Sequence, residues 1–242
     1  MCEHCGCGEP HDPHHGDGAH GHDHEHGHDR IAIGEDVFAH DRAHAESLRN
    51  RLRELDARMV NVIAGPGAGK TELLAALIGR WHDRGPCIVV EGDLATDNDA
   101  KRIRAAGAPV YQIQTGTVCH LTAHDVEHAL EHLPLERRAL VLVENVGNLV
   151  CPSLFDIGES LRIVCLSVTE GEDKPLKYPV AFRGAGLVVI TKSDLLPHVD
   201  FDLAACQQMI QEIRPRTPTL VTSARTGDGL GALVDVLAAL WR

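Results

Sequence analysis

Not one lysine or arginine occurs in the first 28 residues of this 242-residue chain, and no apolar run anywhere approaches the ~18–20 residues of a membrane span. The N-terminus also lacks a positive stretch followed by an apolar one, so no secretory signal is visible and a cytoplasmic location is expected. In that reducing compartment the eight cysteines read as thiols or metal ligands, not as a disulfide framework. No basic stripe interrupts a formal net charge of −12, so neither nucleic acid nor membrane is an expected partner.

The residues present at the start are unusual. Residues 1–28 hold three cysteines, nine histidines and six carboxylates, and so contribute half of the net charge. Met1 and Ala19 are the only non-cysteine apolar residues of segment 1–30, which cannot bury a core and is expected to be disordered until metal binds. Cys2, Cys5 and Cys7 form Cys-x-x-Cys-x-Cys, able to wrap three thiolates around one ion, with the terminal amine or His4 as a fourth donor. Square-planar N/S donation suits Ni²⁺ and tetrahedral sulfur-rich donation suits Zn²⁺, and the spacing alone leaves both open. The tract from His11 to His28 reads as a weaker, multi-ion reservoir.

The remainder, 31–242, reads as one domain. Within its leading segment, 31–58, Ala45, Leu48, Leu52 and Leu55 recur at helical spacing. From Met59 onward apolar runs alternate with helical patterns. Strands are expected at Val60–Ala64, Cys87–Val90, Val110–Ile113, Ala139–Val143, Arg162–Val168, Leu187–Thr191 and Leu220–Thr222. Helices are expected near 70–83, 98–106, 122–133, 203–213 and 229–241. Continuous Val/Ile/Leu runs suit strands covered on both faces, and intervening helices make right-handed crossovers. The fold class is α/β, a mostly parallel, doubly wound sheet.

Ala64-Gly65-Pro66-Gly67-Ala68-Gly69-Lys70-Thr71 lies between the first strand and the first of these helices. This is the context of a phosphate-binding loop: Gly65, Gly67, Ala68 and Gly69 let backbone N–H groups converge on phosphate oxygens. Lys70 is expected to neutralise the β/γ phosphates and Thr71 to place its hydroxyl on Mg²⁺. Asp93 and Glu144, at strand ends, are the carboxylates expected near Mg²⁺ and the attacking water. Asp97 and Asp99 read equally as a switch segment or as helix caps.

Thr191-Lys192-Ser193-Asp194 matches the Asn/Thr-Lys-x-Asp element of many P-loop GTPases. One carboxylate, Asp194, can accept from both N1–H and the exocyclic amine of guanine, which adenine cannot offer. Lys192 would pack along the base, Thr191 stands where Asn is commoner, and Ser223 and Ala224 after the last strand supply a second base contact. GTP is thus expected over ATP. Inside the domain, Cys119, His120 and Cys151 are candidate metal ligands, with His124 a turn beyond His120. Cys87, Cys165 and Cys206 sit in apolar patterns and read as small buried hydrophobes.

Together these elements resemble the HypB family of GTPases that help insert nickel into [NiFe]-hydrogenase. The resemblance rests on Cys2-x-x-Cys5-x-Cys7 with the His tract, the Ala64–Thr71 loop, Glu91-Gly92-Asp93-Leu94-Ala95-Thr96-Asp97 and Cys119-His120-Leu121. It rests equally on Thr169-Glu170-Gly171-Glu172-Asp173-Lys174-Pro175 and, most specifically, on Glu144-Asn145-Val146-Gly147-Asn148-Leu149-Val150-Cys151-Pro152. It implies GTP hydrolysis to GDP and nucleotide- or metal-dependent dimerisation, as in the class that includes nitrogenase iron protein and signal-recognition GTPases. It also implies a Ni²⁺ or Zn²⁺ site of Cys119, His120 and Cys151 at the dimer interface and a tight nickel site at the N-terminal cysteines. The implied partners are a small HypA-type nickel/zinc accessory protein and the hydrogenase large subunit. Gly65 departs from relatives that place a second loop lysine there, and Lys174 is a candidate substitute. A urease-type accessory GTPase and a nickel store are the alternatives.

Overall fold

The computed structural model describes residues 41–93, 98–116 and 118–242, and of Asp93 the backbone alone. The expectations for Cys2, Cys5, Cys7, the His11–His28 tract and Asp97 lie outside the described residues.

The apolar runs form strands at Arg58–Ala64 (β1), Cys87–Asp93 (β2), Val110–Gln114 (β3), Leu140–Gly147 (β4), Leu161–Ser167 (β5), Leu187–Thr191 (β6) and Thr219–Val221 (β7). Helices cover residues 41–54 (α1), Lys70–Trp81 (α2), Asn98–Ala105 (α3), Ala123–Glu131 (α4), Cys151–Leu154 (α5), Lys174–Lys177 (α6), Pro179–Gly184 (α7), Leu203–Ile213 (α8) and Leu230–Ala238 (α9). All strand pairings are parallel, in the order β3-β2-β4-β1-β5-β6-β7. A parallel pair needs a crossover over one face, which is why helices flank both sides of the sheet.

Successive strand residues point to opposite faces, so one run serves two cores. Val60, Val62, Leu140 and Leu142 pack with Leu73, Leu74 and Leu77 of α2 and with α9. Met59, Val141 and Val143 pack on the other face with Leu48 and Leu52 of α1 and Val126 and Leu130 of α4. Beyond them, Val164, Leu166, Val188 and Ile190 pack with Phe182 of α7 and Ile210 of α8.

Chain order reverses around β1, whose neighbours β4 and β5 come from opposite directions of winding. In open parallel sheets such a switch point opens a crevice beyond the carboxyl ends of the strands, where ligands bind. Two strands run three or more residues further than expected. β2 reaches Asp93 and β4 reaches Gly147, so Glu144 sits within β4 and does not end it. Polar residues continue these strands because the ladder goes on pairing: Val62 faces Glu144 and, after a bulge, Ala64 faces Gly147. Helices α5, α6 and α7 are four to six residues long and start at or next to Pro152, Pro175 and Pro179. Segments that short show no helical periodicity, so sequence pattern does not reveal them.

Candidate functional site

The loop between β1 and α2 is shaped by glycine. Gly67 and Gly69 have φ of 75° and 84°, left-handed values that a side chain would strain. Two side chains from the end of β6 hold the loop from outside: Thr191 Oγ1 donates to Ala68 O at 2.6 Å, and Lys192 Nζ donates to Gly67 O at 2.6 Å. Thr191 is buried and braces the loop, while Lys192 adopts a left-handed φ of 59° to reach it. The β4 backbone closes the other side, since a Cβ on Gly147 would lie 3.2 Å from Pro66 Cα. Lys70 and Thr71 are both buried at the start of α2, and Thr71 Oγ1 donates to Glu144 Oε1 at 2.7 Å. These groups line a cavity of about 410 Å³, to which Glu91, Asp99 and Asn145 also contribute. Asp99 pairs with Arg102 at 2.8 Å within α3.

A second cavity of about 510 Å³ is lined by Thr191, Lys192, Asp194, Leu195, Ala224 and Arg225. It shares Gly69, Glu72 and Lys192 with the first, so the two are continuous. Ser223 Oγ donates to Asp194 Oδ1 at 2.6 Å and accepts from Thr226 N at 3.1 Å, which fixes the carboxylate from beneath. A phosphate cradle joined to a pocket with one oriented carboxylate suits a nucleotide.

At the loop's outer edge a Cβ on Gly65 would lie 2.7 Å from Glu170 Oε1 and 3.6 Å from Lys174 Nζ. Glu170 holds Lys174 at 3.1 Å and accepts from Ser167 N at 2.9 Å. Lys174 therefore stands beside the position that lacks a lysine in the loop itself.

Cys119, His120 and Cys151 come together with one ligand atom each mutually within 4.8 Å, all three half-buried. Cys119 Sγ and His120 Nδ1 are 3.7 Å apart. Hydrogen bonding to Cys151 pushes the Cys119 thiol up, with burial and the Cys151 charge adding to it. Burial pulls the His120 pKa down against Asp41 and Asp125, favouring the neutral imidazole that binds metals. Two thiols crowding each other beside a neutral imidazole suit a borderline-soft divalent cation, whose binding displaces the thiol protons. Phe155, which carries no pattern in sequence, stacks on His120 at 3.9 Å between ring centroids and sets its plane. His124 is outside this group. Thr122 caps α4 with Asp125 in a capping box, and His124 then faces outward with its ring 4.9 Å from that of His44. Cys165 and Cys206 are buried, and burial pushes both thiols up to about 12.

The two sites meet at one dipeptide. Glu144 faces α2 and Thr71, whereas Asn145 faces the loop that leads into α4, and its Oδ1 accepts from Leu121 N of that loop at 3.1 Å and from its own neighbour Val146 N at 3.0 Å. Asn145 Nδ2 also donates to Asn61 Oδ1 at 3.3 Å, so both ends of the amide are engaged. Leu121 follows His120 directly, and its side chain would be 2.9 Å from a Cβ on Gly92 in β2. Asn148 Nδ2 donates to Cys119 O at 3.5 Å.

Comparison with known proteins agrees with this geometry. The family model for the CobW/HypB/UreG nucleotide-binding domain matches residues 59–221. The fold and cradle thus define a P-loop nucleotide-binding protein of that class. Hydrogenase maturation factor HypB of Azotobacter vinelandii is 47% identical over 201 residues, 83% of this chain and 66% of that protein. The Escherichia coli K12 protein of the same name is 42% identical over 224 residues, 92% of this chain and 77% of its own length. Among solved structures, HypB from Helicobacter pylori in complex with nickel superposes with a TM-score of 0.79 at 36% identity, covering 84% of this chain and 95% of that one. This chain belongs to the HypB family. It spans about two thirds of the Azotobacter vinelandii relative. No described helix is long and apolar enough to cross a membrane.

Proposed function

We propose that this chain is a cytoplasmic GTPase and metallochaperone that helps insert Ni²⁺ into the [NiFe]-hydrogenase large subunit. One observation carries the reading: Glu144 and Asn145, adjacent on β4, engage the phosphate loop and the Cys119–His120–Leu121 loop respectively. Nucleotide state and metal occupancy then bias the same strand end, and linkage requires each to alter the other's affinity.

In this reading the loop N–H groups and Lys70 hold the β- and γ-phosphates. Asp194 reads guanine, with Ser223 holding its carboxylate, Lys192 covering the base and Ala224 closing the pocket. Thr71 and Glu144 offer hard oxygens suited to Mg²⁺, which would neutralise charge developing on the γ-phosphoryl oxygens, and Asp93, whose side chain lies outside the described residues, is the further carboxylate expected there. Cys119, His120 and Cys151, with His124 nearby, take the cargo metal as Ni²⁺ or Zn²⁺. Cys2, Cys5 and Cys7 form the tighter nickel site. Val118, Val150, Leu154, Leu176 and Val180 are exposed, and the first three flank the Cys119 and Cys151 loops. Exposed apolar side chains beside a half-built metal site support a homodimer closing there, with a HypA-type nickel/zinc accessory protein as the donor partner.

Lys70→Ala tests the reading. Hydrolysis and hydrogenase maturation at limiting nickel should both be lost, while total nickel bound is retained. Maturation that survives at limiting nickel would leave a nickel store whose nucleotide domain is only a scaffold. Loss of urease activity with hydrogenase intact in a deletion strain would shift the client to urease, against the hydrogenase names of the relatives.

A further inference from the structure

Helix α4 carries more histidine than its fold requires. Ala123, Val126, Ala129 and Leu130 form its buried face. The outward face holds His124 and His128, and His132 is the residue that caps the helix C-terminus, at the same four-residue spacing that begins at His120. An exposed helix face ordinarily carries Lys, Arg and Glu, yet between Arg104 and Arg137 the sequence has no Lys or Arg, while Asp125, Glu127, Glu131 and Glu136 are all acidic. That stretch of chain attracts cations and brings no Lys or Arg of its own.

The rings are also arranged. His128 and His132 have centroids 4.9 Å apart at an interplanar angle of 68°. Tyr111 of β3, half-buried, stacks on His132 at 4.9 Å and 9°, and meets His128 edge-on at 6.3 Å and 74°. One tyrosine thus backs both imidazoles and reduces the rotamer freedom that a chelate would otherwise have to remove. Two histidines four apart, one in the last turn of a helix and one at its C-cap, with rings 4.9 Å apart are close enough to share one metal ion. The pair also lies at the C-terminal end of α4, where the helix dipole favours positive charge. A rung stands between this pair and the cysteines. There His44 of α1 packs edge-on against His124, with its Nδ1 2.7 Å from Glu127 Oε2.

We propose that His128 and His132, backed by Tyr111, form a second divalent-metal station on the outer face of α4, in line with the Cys119–His120–Cys151 site. Its ligands are two imidazoles with water completing the shell, so it takes a borderline cation such as Ni²⁺ or Zn²⁺ and binds it more weakly than thiolates do. Weak binding suits a station from which the cargo moves on. The nature of that cargo rests on the nickel-handling function proposed above, but the site itself stands on its own residues.

The test is histidine footprinting with diethyl pyrocarbonate on the full chain, resolved by peptide mass spectrometry, with Ni²⁺ alone as the probe. Residue-level resolution separates His128 and His132 from the nine tail histidines. At a free Ni²⁺ concentration of about ten times the site's Kd, both residues should modify about tenfold more slowly. His128→Gln should abolish the protection of His132 while leaving that of His120 unchanged. His128 is exposed, so the variant should fold, and its circular dichroism checks this. Protection of His132 that persists in His128→Gln would overturn the shared site. No protection at either residue, or equal protection at the exposed His82 and His198, would overturn it as well. His120 in the same digest reports the cysteine site separately, so failure of the nickel reading and failure of this station give different patterns.

Discussion

Asn145→Ala puts the link between the two sites under direct test. The amide is buried, and its Oδ1 is the acceptor for Leu121 N–H and Val146 N–H, two groups that are themselves buried. Truncation removes that acceptor without supplying another and leaves Asn61 Oδ1 without the donor it now has in Asn145 Nδ2. A buried polar group left unpaired costs roughly 1–3 kcal/mol, so two backbone donors together set a loss of about 2–6 kcal/mol. That is a large part of the ~5–15 kcal/mol that holds a domain folded. Asn148→Ala is the control. Its bond to Cys119 O is long at 3.5 Å, and its partner Val150 N belongs to an exposed residue that water can satisfy, so the loss should stay within about 1 kcal/mol. Guanidinium unfolding of both variants, read as a change in midpoint at constant m, gives the comparison. Because Leu121 N–H anchors the loop of Cys119 and His120, nickel affinity at that site should also fall further in Asn145→Ala than GTP affinity does. Equal destabilisation by the two variants would refute the reasoning, since the buried amide would then matter no more than the half-buried one.

Asp194→Asn should weaken GTP by about a hundredfold or more while ATP changes little, because a charge-assisted bond contributes roughly 1.5–3 kcal/mol and the new amide turns a donor toward guanine's donors. Equal weakening of both nucleotides would mean that the carboxylate does not read the base. Replacing Cys2, Cys5 and Cys7 together with Ala should remove the tightest nickel site in a metal titration and leave GTP hydrolysis unchanged, and a loss of hydrolysis would refute the independence of tail and domain. Arg49 ties α1 to Asp156 at 2.7 Å; burial raises the Asp156 pKa, but the Gly158 N–H and Arg49 outweigh it and the net shift is downward. A depressed carboxylate stabilises above its unfolded pKa of about 3.9 and stops doing so as pH falls through the folded value. An Arg49/Asp156 double-mutant cycle should therefore give about 0.5 kcal/mol at neutral pH, modest because both groups are partly exposed, and decay toward zero well below pH ~4. Coupling unchanged in strong acid would exclude the charge pair as its source.

Much of this protein was determined locally. The runs of Val, Ile and Leu announce parallel strands, and all seven strand positions followed from them; the five inner strands are largely buried, while the edge strands β3 and β7 are only half-buried. The phosphate loop was equally legible, since its chemistry is made by consecutive residues: Gly67 and Gly69 supply φ values that other residues resist, and Lys70 and Thr71 follow at once. Asp194, which lines the second cavity, was legible for the same reason. What sequence did not contain was the convergence of distant side chains. Ser223 under Asp194, Phe155 against His120, Tyr111 behind His128 and His132, and Glu170 with Lys174 beside Gly65 are contacts across the sheet or its edge. No periodicity encodes them. The lengths of β2 and β4 were likewise decided by pairing, because a ladder with both neighbours in place carries polar residues such as Glu144 and Asn145 past the apolar run. Sequence alone determined which chemistries the chain holds. Only the tertiary structure placed Glu144 and Asn145 on opposite faces of one strand, joining the phosphate loop to the Cys119–His120–Leu121 loop through the two-residue alternation of a β-sheet.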